Sequence, residues 1–253
     1  MERFPVRAAH LSDFLILQVK SHLNALRLGF FFVRVRSFKM PERVNVAGTT
    51  IPLHYPPEHG TVGDFFGCCI GNAYGLRQRL SNVRTILDVG ANVGFFSIAA
   101  RSRYPRAKIH AYEPNPRVLP FLKSNADPLG ISIYPEAVGA DTGCVSILDI
   151  GDSNQARAVS SGNGGIPQVS LACAIERLGG TVDLLKLDCE GAEWEMFQSA
   201  AAWKRVRNIR MEYHLFHGQT VLDVEKALSR LGFEAIHWRS DLGFGIVWAT
   251  SRN

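Results

Sequence analysis

From residue 83 onward the chain alternates short apolar runs with stretches of helical periodicity, and this alternation constrains the fold more than any other feature. Runs at 85–89, 108–112, 131–138, 182–187 and 208–213 read as strands, while 95–104, 117–125, 171–178, 192–200 and 221–231 read as helices. Repeated β-α-β units mean a parallel sheet covered by helices on both faces. VSILDI reads as an additional strand and residues 151–165 as a polar loop. FEAIHWRSDLGFGIVWAT reads as a closing hairpin that adds an antiparallel edge. The expected class is therefore α/β, a mostly parallel sheet with a C-terminal antiparallel hairpin.

Composition agrees. With 46% hydrophobic and 20% charged residues among 253, wholesale disorder and fibrous repeats are excluded. At ~100–200 residues per domain the length suits one large domain with a small appendage. No stretch reaches the ~18 consecutive apolar residues of a spanning helix. No small-residue cleavage site follows the apolar run at 14–19, so no secretory signal is expected. Cys68, Cys69, Cys144, Cys173 and Cys189 form no CxxC pair and no zinc spacing, which suits a reduced, cytoplasmic compartment.

The charge is uneven. Residues 1–43 hold eight Lys or Arg against three acids, the whole net charge of +5. The remaining body is neutral, so a broad basic face for nucleic acid is not expected. Leu11, Leu15, Val19, Leu23, Leu26, Phe30 and Val33 recur every three or four residues, which predicts a helix over 9–36. Its apolar row either packs on the main domain or belongs to a basic amphipathic helix that meets a membrane surface or a partner. Residues 44–60 read as a short hairpin and a Pro-rich loop, and 61–82 as a helix and a glycine-punctuated stretch. The expected organisation is a basic helical extension (1–43), lid or cap elements (44–82) and the α/β core (83–253).

The densest chemistry begins in TILDVGANVGFFSIAA, where a buried strand ends in Asp88 and a turn through Gly90, Asn92 and Gly94 enters a helix. Gly90 permits a tight turn and close approach of backbone to a ligand. Gly94 lets the helix start pack on the strand. The carboxyl end of such a strand is where ligands bind in open α/β sheets. Dinucleotide sites use G-x-G-x-x-G. Here Asn92 replaces the middle glycine, and a carboxylate, which repels a pyrophosphate, lies two residues before the first. That arrangement suits a ligand with an amino group, such as the aminocarboxypropyl part of S-adenosylmethionine. Glu113, in IHAYEPNP, ends the second strand 25 residues after Asp88 and can accept both hydroxyls of an adenosine ribose. Pro114 fixes the turn after it.

VDLLKLDCEGAEWEMF places Asp188, Glu190 and Glu193 at the end of a third strand. Three carboxylates in six residues are costly unless paired, exposed or used. Asp188 should face the crevice, Glu193 suits a helix N-terminus, and Lys186 reads as a structural partner of a carboxylate. In IRMEYHL, Glu212 and His214 follow another strand and share a face.

ILDVGANVGFFS, YEPNP and LLKLDCEGAEWEMF, in this order and separation, resemble the FkbM-type methyltransferases, S-adenosylmethionine-dependent enzymes of the class I Rossmann-like fold. The resemblance runs from about Tyr74 to Ala249, and the K-x-D-x-EGAE block is its most specific part. It implies that Asp88, Gly90, Asn92 and Gly94, with Ala91 between them, hold the methionine end. It assigns the ribose to Glu113 with Pro114 and Asn115, and sets Asp188 beside both cofactor and acceptor. EAVGADTG resembles the segment after the third strand, which implies Ala137 and Val138 at the adenine. One departure is VSLACAIERLG, where the family commonly has Asp residues and this chain has Ala172 and Cys173. The family methylates mainly hydroxyls of sugars, polyketides and related metabolites, so a small-molecule or glycan acceptor is expected.

Methyl transfer from a sulfonium is an in-line displacement in which the protein positions the reactants and supplies a base. Asp188, Glu190, Glu212 and His214 are the candidates. In one mechanism His214 or a carboxylate is the direct base. In the other, Asp188 and Glu212 ligate Mg²⁺, which lowers the pKa of a bound hydroxyl. Two other classes compete. A nicotinamide-dependent oxidoreductase is disfavoured by the missing G-x-G-x-x-G. A non-catalytic class I module that binds a partner needs neither the glycine turn, nor Glu113, nor the acidic block.

Overall fold

The computed structural model describes residues 11–34, 38–58, 60–78, 80–148, 151, 156–160, 165–216 and 218–252. The chain enters through α1 (Leu11–Arg27), a hairpin of β1 (Arg43–Val46) and β2 (Thr49–Pro52), and α2 (Thr61–Phe65), which runs directly into a π-helical turn, Phe66–Gly71. The alternating part follows as β3 (Thr85–Val89), α3 (Phe95–Arg103), β4 (Lys108–Tyr112), α4 (Leu119–Ala126) and β5 (Ser132–Tyr134). Four short strands come next: β6 (Ala137–Gly139), β7 (Gly143–Leu148), β8 (Arg157–Ser160) and β9 (Ile166–Ser170). The chain closes with α5 (Leu171–Leu178), β10 (Leu184–Leu187), α6 (Glu193–Met196), α7 (Ala200–Trp203), β11 (Asn208–His214), α8 (Val221–Arg230), β12 (Phe233–Ser240) and β13 (Phe244–Ser251).

The main sheet has seven strands in the order β12-β13-β11-β10-β3-β4-β5. From β5 to β11 the pairing is parallel, and β13 and β12 are antiparallel additions, as the expected closing hairpin requires. Strand alternation sorts the core into two halves. Ile86, Ile109 and Leu184 join a cluster with α1, the first hairpin and α3, whereas Leu87, Leu185 and Val247 join one with α5, α7 and α8. Both faces of the parallel strands are therefore covered, and all four residues of β10 are buried. Ligand access is left only at the strand ends. Among the described residues no helix is long and apolar enough to cross a membrane.

Several expectations need correction. The N-terminal helix stops at Arg27, well short of 36, because Gly29 (φ 77°) closes it. The amide of Phe30 bonds the carbonyl of Ala25 at 3.1 Å and that of Gly29 bonds Leu26 at 3.0 Å, a Schellman motif. Its inward face is also different. Ala25 and Leu28 are buried, while Val19, Leu23 and Leu26 of the expected apolar row are exposed. Residues 9, 10 and 35–36 lie outside the described residues. The strand expected over 131–138 is two, β5 and β6, split at Pro135, which has no amide to continue the ladder. The region read as a polar loop contributes β8, and with β6, β7 and β9 it forms a second, four-stranded sheet. Residues 152–155 and 161–164 of that region lie outside the described residues. The single helix expected over 192–200 is broken into α6 and α7.

Candidate active site

The turn between β3 and α3 is shaped by its neighbours. Gly90 has φ 73°, and a Cβ there would lie 1.8 Å from the carbonyl oxygen of Asp188. The backbone just past β10 thus requires a glycine here, and Gly90 also lines the cavity described below. A Cβ on Gly94 (φ 90°) would meet Leu122 of α4 at 2.9 Å, so this glycine serves helix–helix rather than helix–strand packing. The amides of Gly90 and Ala91 both bond the carbonyl of Tyr112, each at 3.0 Å, which pins the turn to the end of β4.

Asp88 is fully buried and lies beneath the cavity instead of on its wall. Its Oδ2 accepts the Ser97 hydroxyl at 2.6 Å, and Lys186 Nζ stands 3.6 Å from its Oδ1. The expected direct contact with a ligand amino group is therefore not its geometry. It fixes the helix start and Lys186. Lys186 in turn donates to the carbonyl of Gly90 and lies 3.3 Å from Asp188 Oδ2. Burial lowers the pKa of this ammonium, but the charges of Asp188 and Asp88 outweigh burial and raise it. Lys186 is the structural partner that its position suggested.

A cavity of about 1300 Å³ runs along the carboxyl edge of the sheet. That exceeds the ~300–1,000 Å³ of an ordinary single-ligand site, so it has room for two molecules. Its lining includes Gly90, Ala91, Asn92, Glu113 and Pro114, and also Ala137 and Val138. Glu113 is oriented by two backbone donors: the Asn92 amide bonds its Oε2 at 2.7 Å and the Asn115 amide its Oε1 at 2.8 Å. Burial pushes its pKa up to about 7 against the pull of those two amides. Asn115 is itself buried and accepts the Arg117 amide at 3.0 Å. The π-helical turn and Tyr74 form a further wall. Such turns recur at functional sites.

Asp188, Glu190 and Glu212 line the same cavity, and Lys186 links Asp188 to the Gly90 turn. The Tyr74 hydroxyl donates to Asp188 Oδ2 at 2.8 Å. Glu190 sits at φ 53° and Gly191 at φ 107°, so the chain turns sharply to aim the Glu190 carboxylate. A positive φ at a non-glycine residue is strained and persists where the surroundings enforce it. Glu193 is fully buried and does more than favour a helix start: it accepts the amides of Gly191 at 2.9 Å and His214 at 2.8 Å. His214 lies behind the wall, with Nδ1 3.4 Å from Glu193 and Nε2 3.3 Å from Glu190 and 3.9 Å from Glu212. Burial alone would lower the pKa of this imidazole, but the close carboxylates of Glu193 and Glu190 carry it up to about 9. Burial raises Glu190 to about 7. It also raises Glu212, helped by the charge of Asp188. His214 is therefore buttressed by carboxylates on both ring nitrogens, which favours its protonated form.

Tyr74 had no sequence signal, and Glu193 and His214 are 21 residues apart on different elements. Asp188, Glu190 and His214 bring three donor atoms within 4.8 Å of one another. The pair Asp188 and Glu212, expected as metal ligands, is not that set.

Comparison with known proteins gives the family. The methyltransferase FkbM domain matches residues 88–235. Methyltransferase sdnD of Sordaria araneosa is 28% identical, over 50% of this chain and 65% of its own length. The match thus spans less than two thirds of that relative. Among solved structures, Aeropyrum pernix fibrillarin with bound S-adenosyl-L-methionine superimposes with a TM-score of 0.44 at 16% identity, over 70% of this chain and 73% of that one. The precorrin-6y C5,15-methyltransferase of Geobacter metallireducens gives 0.44 at 14%, over 72% and 86%. More than half of the chain, from Asp88 at the glycine turn through the DCEGAE turn to β12, matches a single family model, and the protein belongs to the FkbM methyltransferase family.

Proposed function

We propose that this protein transfers the methyl group of S-adenosylmethionine to an acceptor hydroxyl on a sugar, glycan or secondary metabolite. The observation that carries this reading is one cavity lined by both an amide-oriented carboxylate, Glu113, and a turn-held carboxylate, Glu190. When bound, S-adenosylmethionine supplies an electrophilic methyl group. The two oxygens of Glu113 suit the adjacent hydroxyls of a ribose, and Ala137 and Val138 offer an apolar slot for an adenine.

Glu190 takes the acceptor's proton. With its pKa near 7 it is ionised enough to accept and basic enough to be effective. His214, held as an imidazolium by Glu193, is a positioning residue that orients the Glu190 carboxylate and offsets the charge beside it. Glu212 lines the same cavity and accepts from the acceptor's other hydroxyls, and Phe244 offers it an apolar face. Mg²⁺ does not fit this set. It demands oxygen ligands in near-octahedral geometry, whereas the close donors include an imidazole, and Asp188 is engaged by Tyr74 and Lys186. Proton removal is assigned to the carboxylate alone.

The experiment is release of S-adenosylhomocysteine on a panel of hydroxyl acceptors, with and without EDTA. Turnover by the wild type, unaltered by EDTA and lowered about 100-fold or more in Glu190→Gln, is expected. Turnover that EDTA abolishes and Mg²⁺ restores contradicts the metal-free assignment.

A further inference from the structure

Nine large apolar side chains are exposed among the described residues, and five of them are Val19, Leu23, Leu26, Phe31 and Val33, each 57–73% exposed. Val19, Leu23 and Leu26 are spaced by four and three, so they line one side of α1. The helix cannot roll this row inward. Ser21, Ala25 and Leu28 fill the opposite side, the Asn24 amide donates to the Ile70 carbonyl at 2.9 Å, and the Asn45 amide bonds Leu28 at 2.7 Å. Buried Phe32, stacked on His22 with ring centres 4.5 Å apart, holds the following segment so that Phe31 and Val33 face out. Lys20 and Arg27 are exposed beside the row. The first 43 residues carry the whole net charge of +5, against a neutral body.

We infer that this face docks on an anionic lipid bilayer. The apolar row enters the interface between headgroups and acyl chains, and the cations beside it meet the headgroup charge. A second copy of the chain is a poorer occupant. In a twofold contact the same cations would face each other, whereas an anionic surface supplies the opposite sign. One helix with a basic flank gives reversible attachment. The π-helical turn that receives Asn24 also walls the cavity, so the docking helix packs on that wall.

The test is sedimentation of the full chain with vesicles of phosphatidylcholine, alone or mixed with phosphatidylglycerol. Binding to the mixed vesicles only, weakened by salt, is the expected result. Leu23→Glu/Leu26→Glu should abolish it, and Lys20→Ala/Arg27→Ala should weaken partitioning about 25-fold, roughly fivefold per charge. Equal binding to both vesicles, no binding, or variants that bind like the wild type would overturn the inference. So would a dimer in analytical ultracentrifugation that Leu23→Glu/Leu26→Glu dissociates, since the face then belongs to a second copy. Calorimetric S-adenosylmethionine affinity in both variants, compared with the wild type, reports that the fold is kept. It also separates failure of docking from failure of the proposed activity.

Discussion

At the residue scale the site turns on which groups hold protons. Glu190 must be ionised to accept a proton and titrates near 7, and His214 must be protonated to hold it and titrates near 9. kcat/KM should therefore rise as pH passes 7 and fall as it passes 9. His214→Ala should remove the upper limb while leaving S-adenosylmethionine affinity within about twofold, as expected of a group that acts only on turnover. A profile unchanged by that substitution would place the upper limb elsewhere. The sequence carried the identities of Glu190, Glu212 and His214 but not this order of protonation. The order depends on Glu193, whose carboxylate reaches His214 across two elements. Read locally, Glu193 has an adequate role at a helix start, and nothing in its neighbours' spacing points to β11.

The turns decide the element scale. Gly90 and Gly191 both combine a positive φ with a backbone or ring in the space a Cβ would take. Gly90→Ala should cost at least ~3 kcal/mol, as clashes at special backbone positions do, which is ~6–12 °C in Tm for a chain of this size. Gly143→Ala, where nothing lies within 4 Å and φ is ordinary, is the control and should leave Tm unchanged. Equal losses at both positions would mean that local flexibility, not the approach of Asp188, explains Gly90. The glycine pattern was legible as a turn, but its cause was not, because the atom that forbids a Cβ belongs to Asp188, just past β10 and almost 100 residues away. Periodicity alone failed in the same way for α1. Residues three and four apart on a helix mark a row but do not say which way it faces, and Gly29 ends the helix inside an unbroken apolar pattern. Short β8 and β9 escaped because one lies in a polar stretch and the other carries Pro167.

For the whole molecule, the sheet and its covering were legible because buried parallel strands read as apolar runs and the helices between them as periodic ones. Coupling between the N-terminal segment and the core was not, since it rests on aromatic contacts between distant parts of the chain. Phe38 stacks on Phe65 at 6.0 Å and meets Phe32 and Phe66 edge-on. Phe38→Ala should lower stability by ~3–5 kcal/mol, read from denaturant unfolding. A loss under about 1 kcal/mol would mean that this segment is only loosely attached. Such variants test the frame, and ligand binding tests what fills its cavity. Isothermal titration of the wild type and of Glu113→Ala with S-adenosylmethionine, and of the wild type with NADH, reads the occupant of the cavity. One saturable S-adenosylmethionine site, no NADH binding, and at least a tenfold weaker site in the variant are expected, from loss of a charge-assisted bond worth ~1.5–3 kcal/mol. An unchanged affinity in a folded Glu113→Ala protein, or a wild type that binds no S-adenosylmethionine, would contradict S-adenosylmethionine as that occupant.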